Sequence, residues 1–204
     1  MFIEPHFGGI AQAGWVEVIC GSMFSGKTEE LIRRINRAII AKQKVGIFKP
    51  AVDTRYAEAE VVSHNANAVV CVPVKNAAEI LHHINEFEVI GIDEAQFFDL
   101  DLVDVANKLA NKGKRVILAG LDMDFEGVPF GPMPGLMATA EFVTKVNAIC
   151  AQCGSVASYS FRTTMSEEQV VLGEKDAYEP RCRKCYNEGM NEKQEQHNIQ
   201  TDSQ

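Results

Sequence analysis

Apolar residues come in short runs, separated by stretches in which they recur every three or four positions. Trp15–Ile19 is a run of strand length that ends at Cys20 and Gly21. Leu31, Ile32, Ile35, Ala38 and Ile39 then follow at helical spacing. They predict a helix over Thr28–Gln43 with Arg33, Arg34 and Arg37 turned away from its apolar side. Val45–Phe48 reads as a second strand, stopped by Pro50. Asn76–Glu86 reads as a helix opening on an Asn76–Glu79 capping pattern. A buried strand at Val89–Ile92, an amphipathic helix at Leu102–Asn111 ended by Gly113, and a strand at Arg115–Ala119 complete the series. Such alternation implies an α/β domain with a parallel sheet covered on both faces. The rhythm fails after about residue 144, where short β-like runs (Ala157–Arg162, Gln169–Leu172) lie among paired cysteines. The expected division is a loose leader 1–14, a sheet domain 15–144, a small domain 145–189 and a polar, disordered tail 190–204.

Composition narrows the possible functions. The chain has 204 residues, 46% of them hydrophobic, which suffices for a substantial core. A formal net charge of −8 argues against a sequence-independent nucleic-acid binder, which needs a basic face to meet phosphates. No apolar run approaches the roughly 18–20 residues of a membrane helix. The leader carries no Lys or Arg, so no secretory signal is expected and the reading is cytoplasmic. Four of the six cysteines fall in two tight pairs, and in a reducing compartment such pairs are metal ligands more often than disulfides.

Three groups of residues carry chemistry. Gly21-Ser22-Met23-Phe24-Ser25-Gly26-Lys27-Thr28 follows a strand, opens a helix and fits G-x-x-x-x-G-K-[ST], a loop whose amides cradle phosphates. In it Lys27 meets the β- and γ-phosphates of ATP and Thr28 offers a hydroxyl to Mg²⁺. Asp93 and Glu94 end the strand Val89–Ile92. Asp93 reads as the acid on the metal side, and Glu94 as a general base or as the residue that positions an attacking water. Asp93-Glu94-Ala95-Gln96 also fits the acidic box of helicase-type ATPases, although the chain is too short for two motor domains and is acidic. Cys150/Cys153 and Cys182/Cys185 are two C-x-x-C knuckles. Four thiolates suit a tetrahedral Zn²⁺ with no open position, hence a structural ion. A nucleic-acid-stimulated ATPase and a non-enzymatic zinc module with a vestigial nucleotide site are the rival classes.

Taken together, the phosphate loop, Asp53-Thr54-Arg55-Tyr56, Ile92–Phe98, Ala119-Gly120-Leu121-Asp122 with Phe125, Pro129-Phe130-Gly131 and both cysteine pairs resemble the zinc-containing (type II) thymidine kinases. The resemblance spans roughly Gly14 to Tyr186. It implies a P-loop, RecA-like core and a small zinc domain carrying a lasso loop, here about Thr163–Tyr178. The implied activity is transfer of the γ-phosphoryl of ATP to the 5′-hydroxyl of thymidine. It also implies that Asp53, Arg55 and Gln96 belong to the nucleotide and Mg²⁺ side. Thymine would be held by lasso backbone at Val170, Val171, Leu172, Gly173 and Glu174, with Met23, Phe97, Phe125, Phe130 and Tyr178 as pocket walls. A homotetramer inhibited by its end product, thymidine triphosphate, is the further implication.

Overall fold

The computed structural model describes residues 13–51, 70–164 and 177–201. Its centre is a six-stranded sheet of β1 (Trp15–Cys20), β2 (Val45–Pro50), β3 (Val70–Val74), β4 (Val89–Ile92), β5 (Arg115–Gly120) and β6 (Phe142–Lys145), in the order β3-β2-β4-β5-β1-β6. Every pairing in it is parallel. Parallel strands need crossovers and hide both faces, which explains their near-continuous apolar runs. Helix α1 (Lys27–Ile40) covers one face, where Leu31, Ile35 and Ala38 meet Ile19, Ile47, Val89 and Ile117. Helices α2 (Leu102–Asn111) and α3 (Met133–Thr139) cover the other with a 3-10 helix (Ala77–His83), around Val16, Val18, Phe48, Ile90, Ile92 and Leu118.

Side-chain alternation along β1 sends Val16, Val18 and Cys20 to the α2 side and Ile19 to the α1 side. Glu17 shares the α1 side with Ile19, and there it meets Arg34. Arg34 is fully buried, contrary to the expectation that it turns away from the apolar face of α1. Its Nη1 donates to Glu17 Oε2 at 2.8 Å, its Nε to Glu30 Oε1 at 2.9 Å and its Nη2 to Thr144 Oγ1 at 2.9 Å. Burial is possible because three acceptors meet the guanidinium fork.

Other differences have equally local causes. The strand at Val45 continues through Pro50, which pairs with Val74, while the next amide, Ala51 N, donates to the Val74 carbonyl. The segment after Asn76 is a 3-10 helix, although its capping is as expected: Asn76 Oδ1 accepts from Glu79 N at 3.1 Å. Residues 190–201 form the continuation of α4 (Arg183–Thr201) where a disordered tail was expected. The helix propagates outward from an anchored first half, in which Tyr186 is buried, stacks on Tyr159 at 4.4 Å between ring centroids, and donates to the Phe125 carbonyl at 2.9 Å.

The smaller unit holds two two-stranded sheets, β7 (Ala148–Ile149) with β8 (Val156–Ala157) and β9 (Tyr159–Arg162) with β10 (Tyr178–Arg181). No helix among the described residues is long and apolar enough to cross a membrane.

Candidate active site

The phosphate loop joins β1 to α1 through backbone that few side chains tolerate. Gly21 has φ 151°, and a Cβ there would lie 2.1 Å from the Val146 carbonyl oxygen. Gly26 caps α1 in the left-handed region at φ 84°. Ser25 Oγ and Lys27 Nζ both donate to the Ser22 carbonyl at 2.7 Å, which tightens the loop and holds the ammonium over it. Burial lowers the pKa of Lys27, while the nearby carboxylates of Glu94, Asp93 and Asp122 oppose that shift and favour the cation.

The acidic pair faces this loop from the carboxyl end of β4. One strand, β5, lies between β4 and β1. Thr28 Oγ1 donates to Asp93 Oδ2 at 3.3 Å, so the two residues assigned to the metal side are neighbours across the sheet end. Burial, and then the Glu94 charge, push the Asp93 carboxyl up to about 6. Glu94 sits in the left-handed region at φ 51°, an unusual place for a residue with a side chain. Two contacts hold it there. Its amide donates to Asp93 Oδ1 at 3.0 Å, and Gln96 Nε2 donates to Glu94 Oε2 at 2.6 Å. Gln96 is buried, and its Oε1 accepts from Leu121 N at 2.9 Å. The side chain grouped with the nucleotide in the sequence therefore orients Glu94 from a fixed point on the chain just after β5.

Glycines bring the walls close. A Cβ on Gly120 would stand 2.9 Å from Gln96 Oε1, and one on Gly131 (φ 49°) 2.4 Å from the Gln96 carbonyl oxygen. Gly131 thereby lets Phe130 pack edge-on against Phe97, with centroids 5.6 Å apart. Met23 N donates to Ser160 Oγ at 2.9 Å, which pins β9 of the small unit to the phosphate loop. Arg162 contacts both Phe125, over whose ring its guanidinium lies, and Tyr178, whose hydroxyl oxygen accepts from it. Met23, Phe97, Phe125, Phe130 and Tyr178 are all placed by the structure. Asp53 and Arg55, and the segment Val170, Val171, Leu172, Gly173 and Glu174, lie outside the described residues. Ser160 and Arg162 escaped the sequence reading because they sit in a four-residue strand with no motif around them.

Cys150, Cys153, Cys182 and Cys185 converge, with all four sulfurs within 4.8 Å of one another. Hydrogen bonds from the Ser155 hydroxyl and amide hold the Cys153 thiol down at about 6, whereas the neighbouring thiols, Cys182 first, push Cys185 up to about 12. Four soft donors in one small volume are the donor set that a thiophilic divalent cation satisfies.

A phosphate loop, an opposed acid pair with one carboxylate held by a buried amide, and a small unit pinned to the loop define a P-loop phosphotransferase. The thymidine kinase family profile matches residues 14–186. The chain is 58% identical over 195 residues to the thymidine kinase of Bacteroides fragilis (strain YCH46), covering 96% of this chain and 98% of that one. It is 58% identical over 186 residues to the thymidine kinase of Bacteroides thetaiotaomicron, covering 91% and 94%. With the thymidine kinase of Rhodothermus sp. (strain ITI 518) it shares 61% over 190 residues, covering 91% and 88%. The chain belongs to the thymidine kinase family.

Proposed function

We propose that this chain transfers the γ-phosphoryl group of ATP to the 5′-hydroxyl of thymidine, giving dTMP and ADP, with Glu94 as the general base. The observation that carries the assignment is the fixed Glu94 carboxylate opposite Lys27 and the loop amides, in a chain of this family. Glu94 takes the proton of the 5′-hydroxyl as that oxygen forms its bond to the γ-phosphorus. The bond from that phosphorus to the β–γ bridging oxygen breaks, and ADP leaves with the electron pair. Lys27 and the amides of Gly21–Thr28 hold the charge on the phosphates, so positioning and electrostatics supply most of the acceleration. Gln96 keeps Glu94 in the orientation needed to accept the proton.

Thr28 and Asp93 offer the hard oxygens that fit Mg²⁺, which when bound with ATP neutralises charge on the β- and γ-phosphates. Asp53 and Arg55 belong to the same side. Lasso backbone at Val170–Glu174 holds the thymine against Met23, Phe97, Phe125, Phe130 and Tyr178. The enzyme acts in the cytoplasm as a homotetramer, and thymidine triphosphate inhibits it in competition with thymidine. The deciding experiment supplies ATP, Mg²⁺ and a panel of nucleosides. Monophosphate is expected from thymidine. ATP hydrolysis that ignores nucleosides and rises with added DNA or RNA would refute the assignment.

The four cysteines hold a structural Zn²⁺. Elemental analysis of the purified chain should find about one zinc per chain, and Cys153→Ser should release it. Full zinc occupancy in that variant would remove Cys153 from the ligand set.

A further inference from the structure

Arg162 closes β9 with its side chain fully buried, yet no step of the transfer uses it. Its contacts converge on two residues assigned above to the nucleoside pocket. The guanidinium carbon lies 3.6 Å from the centroid of the Phe125 ring, a stacking distance. Nε and Nη2 both donate to the Tyr178 hydroxyl oxygen, at 3.1 and 2.6 Å. Phe125 belongs to the chain that follows β5 in the sheet domain, whereas Tyr178 opens β10 in the small unit. One planar cation thus ties a wall from each half of the protein. Two N–H groups on one phenol oxygen fix the position of that oxygen and leave its own proton free to point elsewhere.

The backbone under Arg162 is held as well. Arg162 pairs with Tyr178 in the β9–β10 register, and Thr163 N donates to the Ala177 carbonyl at 2.8 Å. From α4, the Lys193 ammonium donates to the Arg162 carbonyl and, at 3.2 Å, to that of Thr164, while lying 4.7 Å from the centroid of the Phe161 ring. The far part of α4 therefore braces the residue from which the guanidinium projects.

We infer that Arg162 is a positioning residue for the nucleoside: it sets Phe125 and Tyr178 at a fixed separation and so governs the KM for thymidine while leaving the ATP side alone. The inference rests on the reading of Phe125 and Tyr178 as pocket walls. A lysine keeps the charge but loses the planar fork and the stacking face, so it does not replace arginine here.

The test is steady-state kinetics of the full-length protein on Arg162→Lys and Arg162→Met, beside Tyr178→Phe and Phe125→Leu, with zinc content measured on each. Arg162→Met is expected to raise the KM for thymidine about tenfold or more, the size that accompanies loss of a charge-assisted hydrogen bond. Arg162→Lys should raise it at least about threefold, with the KM for ATP and the zinc content unchanged in both. If Arg162→Met fails to fold, Arg162→Lys decides. A wild-type KM for thymidine in Arg162→Lys, while Tyr178→Phe or Phe125→Leu raises it, overturns the inference and leaves the pocket reading standing. An unchanged KM in all four variants overturns both. Parallel rises in the KM for thymidine and for ATP, with zinc lost, would reduce Arg162 to a structural role and so overturn the inference.

Discussion

Glu94→Gln is expected to lower kcat at least about 100-fold, within the usual range for losing a general base, while the KM for ATP stays close to wild type. The substitution is nearly isosteric. Its amide oxygen can still accept from Gln96 Nε2, so the orienting contact and the left-handed backbone at this residue survive. What disappears is the capacity to take a proton from the nucleoside hydroxyl. Because Lys27 and the loop amides are untouched, donor binding should persist, and the loss should appear in kcat. Initial-rate measurements over both substrates separate the two. Turnover within a few-fold of wild type would dismiss Glu94 as the base and move attention to Asp93, its neighbour across the same turn.

The second large effect lies far from the chemistry. Arg34→Ala should cost about 3–5 kcal/mol of folding stability, the range for removing one partner of a buried ion pair. The variant leaves Glu17 buried, with Arg115 Nε at 2.7 Å, Arg115 Nη2 at 3.3 Å and Trp15 Nε1 at 2.7 Å still donating but without its contact from α1. It also leaves Thr144 without the guanidinium. Arg33 and Arg34 together hold the Glu30 carboxyl down at about 2. That group's contribution is therefore complete above the ordinary carboxylate range and is lost as pH falls towards 2. Urea unfolding followed by Trp15 fluorescence gives the number, since Trp15 contacts the same network. A loss below about 1 kcal/mol would mean that water or repacking replaces the pair.

Periodicity reached the strands and helices that bury a continuous apolar face. Leu102–Asn111 and Val89–Ile92 lie where the pattern puts them, since the apolar face of the helix and all four residues of the strand are buried. The pattern misread Arg34 because a hydrophobicity template treats every arginine as outward, and its partner Glu17 stands in a strand seventeen residues earlier. It passed over α3, whose Pro134 and Gly135 disguise a helix of seven residues held by the burial of Met133 and Leu136. The site divides in the same way. The phosphate loop, Asp93, Glu94 and the cysteines announce themselves because their chemistry fixes both residue type and spacing. Gln96 as the keeper of Glu94, Ser160 on the loop and Arg162 between two rings depend on contacts across long sequence separations, and no local spacing encodes those.

β6 pairs with β1 as far as Cys20 and Lys145, and Val146 N donates to the Cys20 carbonyl at 2.8 Å. The main chain thus departs for the cysteine-bearing half alongside the first glycine of the phosphate loop, whose Cα has no room for a methyl group beside Val146. The phosphate loop and the cysteine-bearing half share a joint with almost no slack. A methyl group at position 21 would therefore push on the main chain that leads into the cysteine-bearing half.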